Sequence, residues 1–307
     1  MNLKLKIKRI RRHFEHLNER ALLLEGRRAA WQVAQMPITT DLARVGFRVF
    51  SQNDEDGIVQ FLVSHLEIKN RTFVEFGVEN YEESNTRFLL MNDNWQGLVM
   101  DGSEENVAYI KSDKDLWRWD LQTKCAFIRA DNINELLAQG GFDADLGLLS
   151  IDIDGNDYWV WEAIQGMRPR IVVVEYNSMF GAEPVSIPYD PTFDRIRAHY
   201  SKLYYGCSLS ALEHLAETKQ YSLIGSNQNG NNAFFVRNDL AAGFPRRRAK
   251  EAYVYSRFRE SRDQRGRFTY LRDEERKTAI SHLPLVNVVT KEVKPLSEWN
   301  RSNSEHT

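Results

Sequence analysis

Five short apolar runs in the sequence end on acidic or amide side chains, and chemistry can gather at those ends. They are Glu75 with Gly77, Asp101, Asp131 with Asn132, Asp152 with Asp154, and Glu175 with Asn177. Carboxylates and an amide carbonyl are hard oxygen donors. If Asp152, Glu175 and Asn177 converge, they suit a divalent cation such as Mg²⁺ or Mn²⁺. Such an ion would bind a substrate hydroxyl and favour its ionised form. Without an ion, Asp154 is the expected general base, Asp152 a cofactor contact, and Glu175 and Asn177 hold their loop. A single acidic strand end would be an ordinary helix-capping neighbour. Five in succession point to a site.

The first of these ends, Phe73-Val74-Glu75-Phe76-Gly77-Val78-Glu79, places a glycine where a backbone can approach a ligand closely. Asp101 follows Gly77 by 24 residues (101 − 77), the distance at which a carboxylate can receive both hydroxyls of a ribose. The turn lacks the G-x-G-x-x-G series, and Glu79, Glu82 and Glu83 beside it oppose a pyrophosphate. A cofactor with a ribose, a positive charge and no phosphate fits these residues. S-adenosylmethionine is such a molecule. The bland alternative is a glycine-terminated strand followed by a helix cap.

Strands must carry these ends. Thr72–Phe76, Gly97–Asp101, Cys125–Arg129, Leu146–Asp152 and Ile171–Glu175 are near-continuous apolar runs separated by helical stretches. That alternation predicts a parallel sheet covered on both faces, an α/β architecture. Ligands of such sheets collect beyond the carboxyl ends of the strands. Helices are expected to open near Ser84 and Ser103, and over Ile133–Ala138 and Leu209–Glu217. Two final strands, Tyr221–Ile224 and Asn232–Arg237, are joined by too few residues for a crossover and should pair antiparallel.

Taken together, Glu75-Phe76-Gly77, Asp101 after Gly-Leu-Val-Met, Ala130-Asp131-Asn132-Ile133-Asn134 and Leu149-Ser150-Ile151-Asp152-Ile153-Asp154-Gly155-Asn156-Asp157-Tyr158 resemble class I S-adenosylmethionine-dependent methyltransferases. The resemblance is nearest to the FkbM-like and related O-methyltransferases of sugars and natural products. It extends over residues 50–237, with Ser51 to Ile58 similar to the lead-in helix of that group. It implies a Rossmann-like seven-stranded, mostly parallel sheet of order 3-2-1-4-5-7-6, with the last strand antiparallel. It also implies cofactor contacts at Glu75, Gly77, Asp101, Gly102, Ser103, Asp131, Asn132 and Asp152. Within that set Gly77 would face the methionine part, Asp101 the ribose, and Asp131 with Asn132 the adenine. Glu79 stands where the group carries a second glycine. The implied reaction is O-methylation of a saccharide or glycosylated metabolite, free or polymeric.

Two rivals come from other classes. Asp152-Ile153-Asp154 is also a DxD pattern that holds Mn²⁺ and a nucleotide-sugar in glycosyltransferases. A non-catalytic partner subunit could keep the same fold, although the retained polar ends argue against it.

Composition bounds what remains. Of 307 residues 42% are hydrophobic and 35 are aromatic, which excludes a largely disordered chain. Cys125 and Cys207 form neither a disulfide framework nor a metal pattern, and the chain is expected in the cytoplasm. Net charge is segregated. Residues 1–32 hold nine Lys/Arg and three Glu, residues 33–243 hold 17 against 31, and residues 244–277 hold twelve against six. An acidic centre makes nucleic acid an improbable partner. Three units are expected: 1–45, a basic amphipathic helix and linker; 46–240, the cofactor-binding domain; and 241–307, a basic helical extension. In the first, Leu3, Ile7, Ile10, Phe14, Leu17, Ala21 and Leu24 make one apolar stripe, ended by Gly26 and Pro37. That stripe could dock on the domain, join a homo-oligomer, or lie on the inner face of an anionic membrane.

Overall fold

The computed structural model describes residues 3–299, with side chains described from Leu17 onward. The main sheet has seven strands: β1 Thr72–Phe76, β2 Gln96–Asp101, β3 Leu121–Cys125, β4 Leu148–Ile151, β5 Ile171–Glu175, β6 Tyr221–Ser226 and β7 Asn232–Arg237. Their order is 3-2-1-4-5-7-6. Every pairing is parallel except those of β7, which runs against both β5 and β6. This is the Rossmann-like order expected from the sequence. The switch in strand order falls between β1 and β4, so the crevice must open there.

Helices cover both faces: α1 Leu3–Ala34, α2 Glu55–His65, α3 Arg87–Asp93, α4 Glu104–Ser112, α5 Ile133–Ala138, α6 Asp157–Ala163, α7 Arg195–Ala198 and α8 Leu209–Thr218. Alternate residues of the central strands serve opposite cores. Val74, Phe76, Leu149, Ile151, Val172 and Val174 face α5, α6 and α8, whereas Phe73, Leu148, Ile171, Val173 and Phe234 face α2. All eleven are under 2% exposed. Such two-sided burial is why these strands show no polar alternation.

Three expectations are corrected. Gly26 does not end α1. The helix passes through it, and a Cβ there would stand 2.5 Å from Val49 and 2.8 Å from the Phe88 ring, so the glycine permits close packing. The third strand is not Cys125–Arg129 but Leu121–Cys125, an edge strand with no fully buried residue. The apolar Ala126-Phe127-Ile128 lies beyond its end and lines the crevice, with only Ile128 buried. Finally, Ser84 does not cap α3, which begins after Thr86; Ser84 binds Glu75 instead.

The carboxyl-terminal segment is helical only in part. Its helices are α9 Ala249–Ala252, α10 Asp273–Ile280 and α11 Leu296–Trp299. It also contributes strands Pro284–Asn287 and Val293–Pro295, and the first of these pairs with Val185–Ser186 from the loop after β5. Met179, Phe180, Leu203, Ile280, Leu285 and Trp299 form a core beneath this small sheet. The basic stretch is therefore docked. Tyr253 donates to the Ser178 carbonyl at 2.6 Å, and buried Arg276 donates to that of Ser256 at 2.7 Å. This segment braces the loops that overhang the crevice.

Candidate active site

At the end of β1, Gly77 takes φ +69°, and a Cβ on it would lie 1.6 Å from the Asp152 carbonyl oxygen. Only glycine fits between β1 and the β4 loop. Two residues on, Glu79 has φ +47°, a backbone shape a glycine would also supply. Its N–H donates to Asp101 Oδ2 at 2.9 Å. Asp101 Oδ1 accepts from Ser103 N–H at 2.8 Å and Asn106 Nδ2 at 3.0 Å. Three internal donors fix the carboxylate at the cleft, and its acceptor capacity is not exhausted by them.

Gly77, Glu79, Asp101, Gly102, Ala126, Phe127, Ile128, Asp152, Ile153, Asp154, Asn156 and Phe193 line a cleft of about 170 Å³. Four of these are carboxylates and none is basic. Burial first, then the charges of Asp154 and Asp101, push the Glu79 carboxyl above its usual range. Asn156 Oδ1 is buried without a partner. Its Nδ2 donates to the Asp190 carbonyl at 2.7 Å, and Ala130 N–H donates to Tyr189 Oη at 3.2 Å. The 189–193 segment thus spans the cleft, with Phe193 in its lining.

Four expected cofactor contacts do not line this cleft. Both Glu75 oxygens are occupied: Oε2 accepts from the Ser84 and Thr86 hydroxyls, and Oε1 from Asn85 N–H. Glu75 therefore holds the turn that leads into α3. Ser103 caps α4, its hydroxyl accepting from Asn106 N–H at 3.2 Å. Asp131 faces solvent in an ion pair with Arg129 at 2.8 Å. Asn132 spends its amide on its own loop, accepting from Arg129 N–H and donating to the Phe127 carbonyl. Phe127 and Ile128 replace the last two as the apolar wall.

The second feature is an acidic cluster. Asp152, Asp154 and Glu175 each offer an oxygen, and these oxygens lie within 4.8 Å of one another. Burial first, then neighbouring carboxylates, holds the Asp152 and Glu175 carboxyls well above the ordinary range. Glu175 Oε2 is buried with no hydrogen-bond partner. The loop itself is shaped by Asp157, whose carboxylate accepts from Ile153 N–H at 2.8 Å and Gly155 N–H at 2.9 Å. Asp154 at its tip has φ +55°. It is ion-paired to Arg195, whose guanidinium stacks 3.8 Å from the Tyr205 ring centre.

Asn177 is not a member of this cluster. Its Oδ1 accepts from Met179 N–H at 3.1 Å, and its Nδ2 donates to the Leu203 and Tyr205 carbonyls. The amide is consumed in fixing the overhanging loop, and Asp154 takes its place.

Two contributors had no local sequence signal. Arg195 lies 41 residues from its partner Asp154. Asn232 lies directly across the sheet from Glu175, on the same face, and its Oδ1 is likewise buried and unpartnered. Its Nδ2 donates to Glu55 Oε1 at 3.0 Å, and Asn227 Nδ2 donates to the same oxygen at 2.6 Å. The lead-in to α2 therefore closes one side of the cluster.

No family model matches the sequence, and no curated relative does. Among solved structures, the chain is similar to the N-terminal domain of EvdMO1 with S-adenosylhomocysteine bound. Identity there is 10%, covering 69% of this chain and 94% of that one, with a TM-score of 0.40. A putative caffeoyl-CoA O-methyltransferase from Staphylococcus aureus is 14% identical over 60% of this chain and 82% of its own, with a TM-score of 0.40. An S-adenosylmethionine-dependent methyltransferase from Clostridium acetobutylicum is 10% identical over 60% and 90%, with a TM-score of 0.37.

Proposed function

We propose that the chain is an S-adenosylmethionine-dependent methyltransferase acting on a hydroxyl of a saccharide or glycosylated metabolite. The observation that carries this reading is the cleft at the β1/β4 switch point, lined by four carboxylates and no basic side chain. A nucleotide-sugar would bring a pyrophosphate into that anionic lining, at an electrostatic cost. A cationic, ribose-bearing ligand meets the opposite situation. Gly77 lets the backbone approach it, Asp101 accepts from hydroxyls, and Phe127 with Ile128 supplies an apolar wall. Asn156 Oδ1, buried without a partner, and the Glu79 carboxylate in the same lining are acceptors for a donor-bearing cation. When bound, S-adenosylmethionine supplies an electrophilic methyl on a sulfonium.

The acidic cluster would prepare the acceptor. A saccharide hydroxyl is a weak nucleophile at neutral pH and must lose its proton. A base works best with a pKa near the working pH. Asp154 is engaged with Arg195, whereas burial and neighbouring charge hold the adjacent Asp152 and Glu175 carboxyls above ordinary carboxylates, so that pair suits the base role better. A hard divalent ion fits the same residues: three carboxylate oxygens converge and one buried oxygen of Glu175 is unpartnered. Asp152, Asp154 and Glu175 would hold Mg²⁺ or Mn²⁺, which supplies Lewis acidity toward the hydroxyl.

The test is methyl transfer from labelled S-adenosylmethionine to a panel of saccharides, comparing wild type with Glu175→Gln. Transfer to a hydroxyl that falls on substitution, with S-adenosylhomocysteine affinity kept, supports the reading. Transfer only to amines or carbon acids would refute the hydroxyl assignment.

A further inference from the structure

We propose that α1 is a membrane-surface helix, whose apolar stripe lies on an anionic phospholipid bilayer and holds the α/β domain there. The helix has one face committed to the protein. Leu23, Gly26, Ala30 and Val33 pack on the domain, and Glu19 pairs with Arg87 at 2.6 Å. On its other face the described residues have no partner: Leu17 is 45% exposed, Leu24 52% and Trp31 69%. At about 100° per residue, these side chains point roughly opposite the docked set. Leu17, Ala21 and Leu24 are the last members of the stripe that Leu3, Ile7, Ile10 and Phe14 begin at the same spacing.

Charge selects the occupant of that face. Residues 4–12 carry six cations, Lys4, Lys6, Lys8, Arg9, Arg11 and Arg12, and no acid. A second copy in parallel register would set two such clusters side by side. In antiparallel register the cations would meet only Glu15, Glu19 and Glu25, of which Glu19 and Glu25 already pair with Arg87 and Arg28. An anionic partner is therefore favoured over self-association, and the continuous apolar stripe requires that the partner also offer hydrocarbon. A phosphatidylglycerol- or phosphatidylserine-containing interface offers both. Among the described residues no helix is long and apolar enough to cross a membrane, so α1 would lie in the interfacial plane.

The experiment is sedimentation of the full chain with vesicles of pure phosphatidylcholine or of phosphatidylcholine mixed with phosphatidylglycerol. Partition onto the mixed vesicles should exceed that onto neutral ones by about tenfold or more and should fall with added salt. The double variant Leu17→Glu/Leu24→Glu should lose about tenfold of that partition while keeping the wild-type melting curve, because both side chains are exposed. Equal partition onto both vesicle types, or partition unchanged in the double variant, overturns the proposal. So does light scattering that shows a dimer abolished by the same two substitutions, which would give the stripe to a second copy.

Discussion

Replacing Gly77 with alanine examines the joint on which the cleft depends. The added Cβ would sit 1.6 Å from the Asp152 carbonyl oxygen, where ordinary contact begins at 3.4 Å, so the two must part by 1.8 Å (3.4 − 1.6). They cannot part freely, because Phe76 and Ile151 are paired partners in adjacent strands immediately before them. The left-handed backbone, φ +69°, adds roughly 1–2 kcal/mol for a residue with a side chain. Overpacking adds about 1–3 kcal/mol more. Gly77→Ala should thus lose about 2–5 kcal/mol in urea unfolding. The Asp152 loop is displaced with it, and misplacement by about 1 Å costs on the order of a hundredfold in catalysis. Glu79→Gly is the matched control, since it relieves a positive φ and should retain or gain up to about 1 kcal/mol of stability. A Gly77→Ala protein as stable as wild type and with the same S-adenosylhomocysteine affinity would refute this reasoning.

Other consequences follow from the same geometry. Asp101→Asn should weaken S-adenosylhomocysteine by about 1.5–3 kcal/mol per charged hydrogen bond lost, read by calorimetry with circular dichroism as the control for folding. Mg²⁺ affinity should rise with pH through and above the ordinary carboxylate range, because burial and neighbouring charge raise the Asp152 and Glu175 carboxyls and both must be ionised to bind. Calorimetric Mg²⁺ binding that is flat with pH would count against an ion at this cluster. Arg195→Met removes the cation beside Asp154 and Glu175 and should cost ~2–3 kcal/mol near neutral pH, below the ~3–5 of a fully buried pair because Asp154 is half exposed. That loss should shrink as pH falls through the raised range of Glu175 and its carboxyl protonates, which denaturant melts at two pH values would show.

Much of the architecture was legible because the central strands are buried on both faces. Val172, Val173 and Val174 could belong only to such a strand, and the seven residues 225–231 between the last two apolar runs left room only for a hairpin. The edge misled for the converse reason. Strand β3 has little apolar surface to declare it, while the apolar Ala126-Phe127-Ile128 beside it serves the cleft. Carboxylates were visible as types but not as roles. Glu75 and Asp152 follow similar apolar runs. Glu75 meets Ser84, Asn85 and Thr86, which satisfy it, whereas Asp152 meets Glu175 and Asp154, which do not. Arg195 and Asn232 reach the cluster only through tertiary folding, so no spacing rule could place them there.

Calorimetric titration of the purified chain with S-adenosylhomocysteine, and separately with uridine diphosphate plus Mn²⁺, tests the central claim most directly. Saturable one-to-one binding of S-adenosylhomocysteine, weakened by Asp101→Asn, with no uptake of the diphosphate, is the result this cleft requires. Binding of the diphosphate with Mn²⁺ and none of S-adenosylhomocysteine would contradict it, and would assign Asp152 and Asp154 to a nucleotide-sugar instead.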